Sequence, residues 1–226
     1  PAPLTVSLGL SASNKVYDTT NSASIAVTGT QTLSGVLGTD TVSVASSGPY
    51  SGTFAQTNVG NAITVTPNTS TTTINGVGYT TMAGLTLTGA QAGNYYVTGP
   101  STGLIANITP APLIITASNQ ASFVTKTVTL DSSAYSVQGI IGSSATVSSV
   151  SLSTTAYDGS SPGNYPINVS GASGTGLSNY SITYVPGTHT VIPAQQLLIQ
   201  TSGAVTTYGA AASFTTPTAS YMDGSG

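Results

Sequence analysis

Arginine, glutamate, cysteine and tryptophan are all missing from this chain of 226 residues, and each absence narrows its chemistry. Without cysteine there is no disulfide, no thiolate metal site and no cysteine nucleophile. Charge is confined to Lys15, Lys126, Asp18, Asp40, Asp131, Asp158 and Asp223, which is 3% of the residues against about 25% in an ordinary globular protein. One histidine, His189, adds the only side chain that ordinarily titrates near neutrality. The net charge of −3 and a pI near 4.3 leave no basic surface to neutralise phosphates, so neither nucleic acid nor an anionic membrane surface is an expected partner. No stretch approaches the roughly twenty apolar residues of a helical span, so membrane insertion is not expected either. Pro1-Ala2-Pro3 opens without a basic or apolar leader, and the chain reads as an internal piece of something longer.

What remains is a chain with 38% hydrophobic residues and almost no charge, which is the composition of a sequence that folds with a surface hydrated by hydroxyls, amides and backbone. Its apolar residues alternate. Leu4–Leu8, Ser24–Thr28, Thr41–Ala45, Ala62–Thr66, Met82–Thr88, Asn94–Thr98 and Leu104–Ile108 each show the period of two of a half-buried strand. A second, shorter set follows at Leu113–Ala117, Thr127–Leu130, Ala134–Gln138, Thr146–Leu152, Tyr165–Val169, Tyr180–Val185 and Thr188–Ile192. Short strands with turn signals between them predict an all-β chain of tandem antiparallel, Ig-like β-sandwiches. The alternative is a β-grasp-like unit with one short helix, which would sit at Gly35–Asp40 and at the corresponding Gly139–Ser144.

Boundaries come from a prolyl motif that recurs three times: Pro1-Ala2-Pro3-Leu4, Pro110-Ala111-Pro112-Leu113 and Pro193-Ala194-Gln195-Gln196-Leu197. Proline lacks an amide donor and pushes the preceding residue toward extended conformations, so each copy reads as a stiff junction between strands of successive domains. The expected domains are residues 1–110, 111–194 and a truncated third at 195–226, arranged end to end.

Site chemistry is sparse. His189 lies in an alternating run, where a strand surface or edge position is expected, and no partner for a nucleophile–base pair is evident. Asp18, Asp40 and Asp158 read as turn residues rather than as paired carboxylates or a calcium loop. The expectation is a non-enzymatic protein with no cofactor and no metal. Tyrosines beside turns are expected to bury their rings and keep their hydroxyls bonded. The candidate ligand contacts are Tyr95, Tyr96, Asn164 and Tyr165, because tyrosine among small polar neighbours suits adaptable recognition. The sequons at Asn68, Asn107, Asn168 and Asn179 read as chance in a chain this rich in serine and threonine.

Several blocks, in order, resemble the YDG domain of large secreted bacterial surface proteins: Lys15-Val16-Tyr17-Asp18-Thr19-Thr20, Gly35-Val36-Leu37-Gly38-Thr39-Asp40, Gly52-Thr53-Phe54-Ala55, Asn58-Val59-Gly60 and Gly93-Asn94-Tyr95. The second unit is similar to the shorter MBG domain of YGX type through Gly163-Asn164-Tyr165-Pro166-Ile167 and Leu177-Ser178-Asn179-Tyr180. Tyr208-Gly209 and Ala212-Ser213-Phe214-Thr215 resemble the opening of another such unit. The resemblance, which extends to filamentous-haemagglutinin-like adhesins, implies a repeat segment of a stalk or filament in cell adhesion or a biofilm matrix. Its location would be extracellular, on the bacterial surface or secreted. Its partners would be neighbouring repeats and other copies of the same protein. Missing charge sharpens this, since sheet edges are normally guarded by charged side chains. The alternative is a module that binds a glycan or a host surface protein through its Tyr and Asn loops. Some bacterial surface domains carry Lys–Asn isopeptide crosslinks, and each unit here has one lysine, Lys15 and Lys126, but a lysine in a turn is read as solvated rather than crosslinked.

Overall fold

The computed structural model describes residues 2–7, 9–28, 31–45, 48–74, 76–97, 103–200 and 216–223. The motifs at Tyr208-Gly209 and Ala212 to Thr215, together with Leu8 and Thr98, lie outside the described residues. The chain is all-β, its sheets forming half-barrel and sandwich-like arrangements. Helical structure among the described residues is limited to two 3-10 turns, Ala92–Asn94 and Leu177–Asn179. Gly35–Asp40 and Gly139–Ser144, the places proposed for a helix in the β-grasp alternative, are turns instead. Two compact units are present: Pro1–Ala111 with Ser178–Ser181, and Pro112–Leu177 with Ile182–Gly226.

The first unit is built on a six-stranded sheet in the order Leu10–Ala12, Ser22–Val27, Tyr50–Phe54, Gly60–Pro67, Leu104–Thr109 and Lys15–Val16. Alternation decides its buried face: Ala23 and Ile25, Tyr50 and Phe54, Ile63 and Val65, and Leu104, Ala106 and Ile108 all point one way into the core. Phe54 alone would cost about 3–5 kcal/mol on truncation to alanine, because the cavity adds to the lost transfer energy. A second sheet runs Tyr95–Val97, Ala2–Ser7 and Thr32–Ser34. A separate antiparallel hairpin pairs Thr69–Ile74 with Val77–Met82. The expected strand Met82–Thr88 is broken: Ala83 and Gly84 form a turn, and Leu87–Thr88 pairs on its own with Ser43–Val44.

The second unit, apart from Ala111, Tyr180 and Ser181, which group with the first, has Tyr135–Gln138, Ala111–Ala117 and Tyr180–Val185 as one sheet, and Gln120–Phe123, Gly187–Ile192, Gly163–Thr175 and Thr146–Thr154 as another. Ile115, Ala117, Ile167 and Val169 form the buried centre, with Leu130, Val137, Leu152 and Tyr184 packed around it. Thr127–Leu130 is not a strand. Its alternating burial is real, but the Val128 amide donates to Asp158 Oδ1 at 2.7 Å rather than to a ladder. Leu197–Gln200 pairs antiparallel with Thr218–Tyr221, and the Gln195 amide donates to the Met222 carbonyl at 2.7 Å.

Pairing is mainly antiparallel, as expected, but not wholly so. Ala2–Ser7 with Tyr95–Val97, Lys15–Val16 with Leu104–Thr109, and Gln120–Phe123 with Gly187–Ile192 run parallel. Each brings together segments far apart in sequence, which no local turn signal announces. No helix among the described residues is long and apolar enough to cross a membrane.

Candidate functional site

Tyr95 and Tyr96 follow the 3-10 turn Ala92–Asn94 and open the short strand Tyr95–Val97, so adjacent side chains leave on opposite faces. Tyr95 goes inward. Its ring is 3% exposed, and its hydroxyl accepts from the Leu37 amide at 3.0 Å while donating to Asp40 Oδ2 at 2.6 Å. That donation to a carboxylate holds the phenol above its usual pKa, with the Leu37 amide acting the other way. Tyr95 therefore fastens the Gly35–Asp40 loop, and its hydroxyl is already committed within the fold.

Tyr96 is only half buried and stacks on Tyr79 of the hairpin, ring centroids 4.0 Å apart and planes inclined by 27°. Beside it is a cleft of about 320 Å³. Its walls carry Thr72, Thr86, Leu85, Leu87, Tyr96 and Val97, with Thr81 and Tyr95 among the further lining residues and no charged side chain. Thr81 is buried, its hydroxyl 3.3 Å from Ser70 Oγ and 3.5 Å from Thr72 Oγ1. The hairpin that supplies Thr72, Thr81 and Tyr79 was not foreseen as a pair of strands. Asn75-Gly76, between runs rich in threonine, is the sequence signal that marks it.

Asn164 and Tyr165 belong to the second unit. Asn164 is exposed, and its Oδ1 accepts from Thr190 Oγ1 at 2.9 Å. The Tyr165 hydroxyl donates to the Ser161 carbonyl at 2.9 Å. Across the ladder Tyr165 stands opposite His189, which Gln120 flanks on the other side. Thus the four residues named from sequence divide between the units, and only Tyr95 and Tyr96 line a common cleft.

His189 is not at a strand surface or edge. It is 1% exposed, in a strand paired on both sides, because Gln120–Phe123 adds the parallel neighbour that the sequence had not revealed. Its Nε2 lies 3.0 Å from Ser122 Oγ, whereas Nδ1 is buried without a partner. In a serine hydrolase the equivalent ring nitrogen is oriented by an acid. Burial also lowers the pKa of the imidazole, because desolvation penalises the cation. The lysine of the first unit is equally committed: Lys15 Nζ lies 2.6 Å from Asp18 Oδ1 and donates to the Thr20 carbonyl at 3.0 Å and to Thr20 Oγ1 at 2.8 Å. Asp18 is held below the usual carboxylate range by Lys15 and by the Thr20 amide and hydroxyl, against the opposing effect of its partial burial, which is the largest single influence.

Comparison with known families matches residues 1–81 to the YDG domain and residues 113–190 to the MBG domain of YGX type. No curated protein and no solved structure matches the chain.

Proposed function

From a chain that carries a YDG domain followed by an MBG domain of YGX type, both repeat domains of bacterial surface proteins, we infer a non-enzymatic structural segment of a secreted adhesin, one that extends the molecule outward from the cell. The observation that carries this reading is the tandem itself: a domain matched to one repeat family over residues 1–81 is followed in the same chain by a domain matched to another over residues 113–190. A single residue, Pro110, separates strand Leu104–Thr109 from strand Ala111–Ala117. A stalk built from such repeats would run them end to end outside the cell. The polar side chains support the structural reading as well, since Tyr95, Asp40, Lys15 and Asp18 spend their hydrogen bonds on holding loops. The orphaned Nδ1 of His189 argues against a hydrolytic role for the Ser122–His189 pair.

Small-angle scattering on the intact chain tests the extension. Units strung end to end give a maximum dimension close to the sum of the two, and a compact particle overturns the reading. The same fibre would associate with further copies through edges that carry almost no charge. Sedimentation at low and high salt is expected to show association that salt does not weaken, and a strict monomer at both would remove self-association from the proposal.

A further inference from the structure

The cleft beside Tyr96 has no part in extending a stalk, yet its walls are selective. We propose that it is a binding site for a neutral sugar ring. This goes beyond the stalk reading and stands whether or not the units are extended.

The cleft holds about 320 Å³, at the small end of the range of about 300–1,000 Å³ typical of small-ligand sites. That suits a single pyranose better than a peptide. Tyr96 lines the cleft, and its ring stacks on Tyr79 with centroids 4.0 Å apart, which holds it in place before any ligand arrives. A fixed ring loses little entropy on binding. A pyranose presents a face of polarised C–H groups that matches the negative face of an aromatic ring. Its rim of hydroxyls needs donors and acceptors, which Thr72 and Thr86 offer from two different segments, the hairpin and the stretch after the Ala83-Gly84 turn.

The alternatives fit the same walls less well. An anionic ligand would be desolvated with no cation opposite it, since none of the lining side chains is charged. The nearest carboxylate in the hydrogen-bonding scheme, Asp40, already receives the Tyr95 hydroxyl. An aliphatic ligand would cover Leu85, Leu87 and Val97 but would strip water from the threonine hydroxyls and give nothing back. A neutral polyol with one apolar face satisfies both halves of the cleft.

The test is an NMR titration of the isotope-labelled intact chain with the methyl glycosides of glucose, mannose, galactose and N-acetylglucosamine, with glucuronic acid as the charged comparison. The expected result is saturable shifts at Thr72, Thr86 and Tyr96 with at least one neutral glycoside and none with glucuronate. Tyr96→Ala should weaken that binding by about tenfold, while Tyr96→Phe, which keeps the aromatic face, should retain most of it. If Tyr96→Ala perturbs the fold, Thr72→Val on the exposed side of the hairpin replaces it and should also weaken binding. The proposal is overturned by the absence of saturable shifts with every neutral glycoside, by shifts that map elsewhere, or by binding that survives both substitutions. Saturable binding of an apolar peptide in the absence of sugar binding overturns it equally.

Discussion

Gly35-Val36-Leu37-Gly38-Thr39-Asp40 in the first unit and Gly139-Ile140-Ile141-Gly142-Ser143-Ser144 in the second are the same loop built twice. Gly35 and Gly139 have φ of 97° and 105°, and Gly38 and Gly142 have φ of 56° and 57°. The Asp40 amide donates to the Leu37 carbonyl at 3.1 Å, and the Ser144 amide donates to the Ile141 carbonyl at 3.2 Å. Each first glycine also faces the prolyl motif that opens its own unit: a Cβ at Gly35 would lie 3.1 Å from the Pro3 carbonyl oxygen, and one at Gly139 would lie 2.5 Å from that of Pro112. The backbone has been kept and the side chains have changed. Where the first unit has Asp40 to receive the Tyr95 hydroxyl, the second has Ser144. A carboxylate is therefore not required to form this loop, whereas a residue free to adopt positive φ against a prolyl carbonyl is.

The largest effect that sharpens this comparison comes from the two glycines. Gly139→Ala forces a left-handed backbone on an L residue and drives its Cβ into the Pro112 carbonyl, so the second unit should lose about 3 kcal/mol or more. Gly35→Ala meets the same strain with 0.6 Å more room, as the two separations of 3.1 and 2.5 Å show, and its cost should be nearer 1–2 kcal/mol. Urea denaturation of each variant measures both. Equal losses, or a larger one at Gly35, would mean that the prolyl contact does not set the cost.

That equivalence also shows what could be read in advance. The prolyl motif, the two Gly-x-x-Gly loops and the strongly alternating strands such as Leu104–Thr109 and Ala111–Ala117 were legible, because each depends on local backbone preference or on a period of two. Gln120–Phe123 was not: all four of its residues are half buried, so no alternation marks it, and its parallel partner is distant in sequence. Thr127–Leu130 misled for the opposite reason, having alternation without a ladder. Of the site, the tyrosines were visible but their division of labour was not. Tyr95 and Tyr96 are adjacent in sequence and both line the cleft, and only the pleat and the hairpin bearing Tyr79 decide that the hydroxyl of Tyr95 is spent on a loop while Tyr96 stacks on Tyr79. The burial of His189 was hidden with the strand that covers it.

The units also differ in what they do with a titratable group, and pH should separate them with a smaller effect than the glycines. His189 is buried beside Ser122 and opposite Tyr165, and burial lowers its pKa in the folded state. Above the ordinary histidine range neither state is protonated and stability is unaffected. As pH falls below about 6.5 the unfolded chain takes up a proton that the folded unit refuses, so stability declines until the lowered folded-state pKa is passed. His189→Gln should flatten that part of the stability–pH curve. The first unit contains no histidine, so backbone NMR signals of that unit should show no such slope. An unchanged slope in the His189→Gln variant would place its origin elsewhere.

The smallest expected effect converts one loop toward the other. Asp40→Ser puts a serine at the first unit's Asp40 position, matching Ser144 in the second. The fold should survive, because the loop's turn bond is made by backbone and the Leu37 amide still has the Tyr95 hydroxyl as its acceptor. What should change is the phenol. With the carboxylate gone, the chief cause of its raised pKa is gone, and the remaining Leu37 amide favours the ionised form. In the parent chain the folded unit keeps the Tyr95 proton after the unfolded chain has lost it, so stability falls as pH rises above about 10. In Asp40→Ser that alkaline decline should be weaker, and ultraviolet titration should show one tyrosine ionising earlier than before. If the titration of the variant overlays that of the parent, Asp40 is not what holds the Tyr95 proton, and the two loops differ only in sequence.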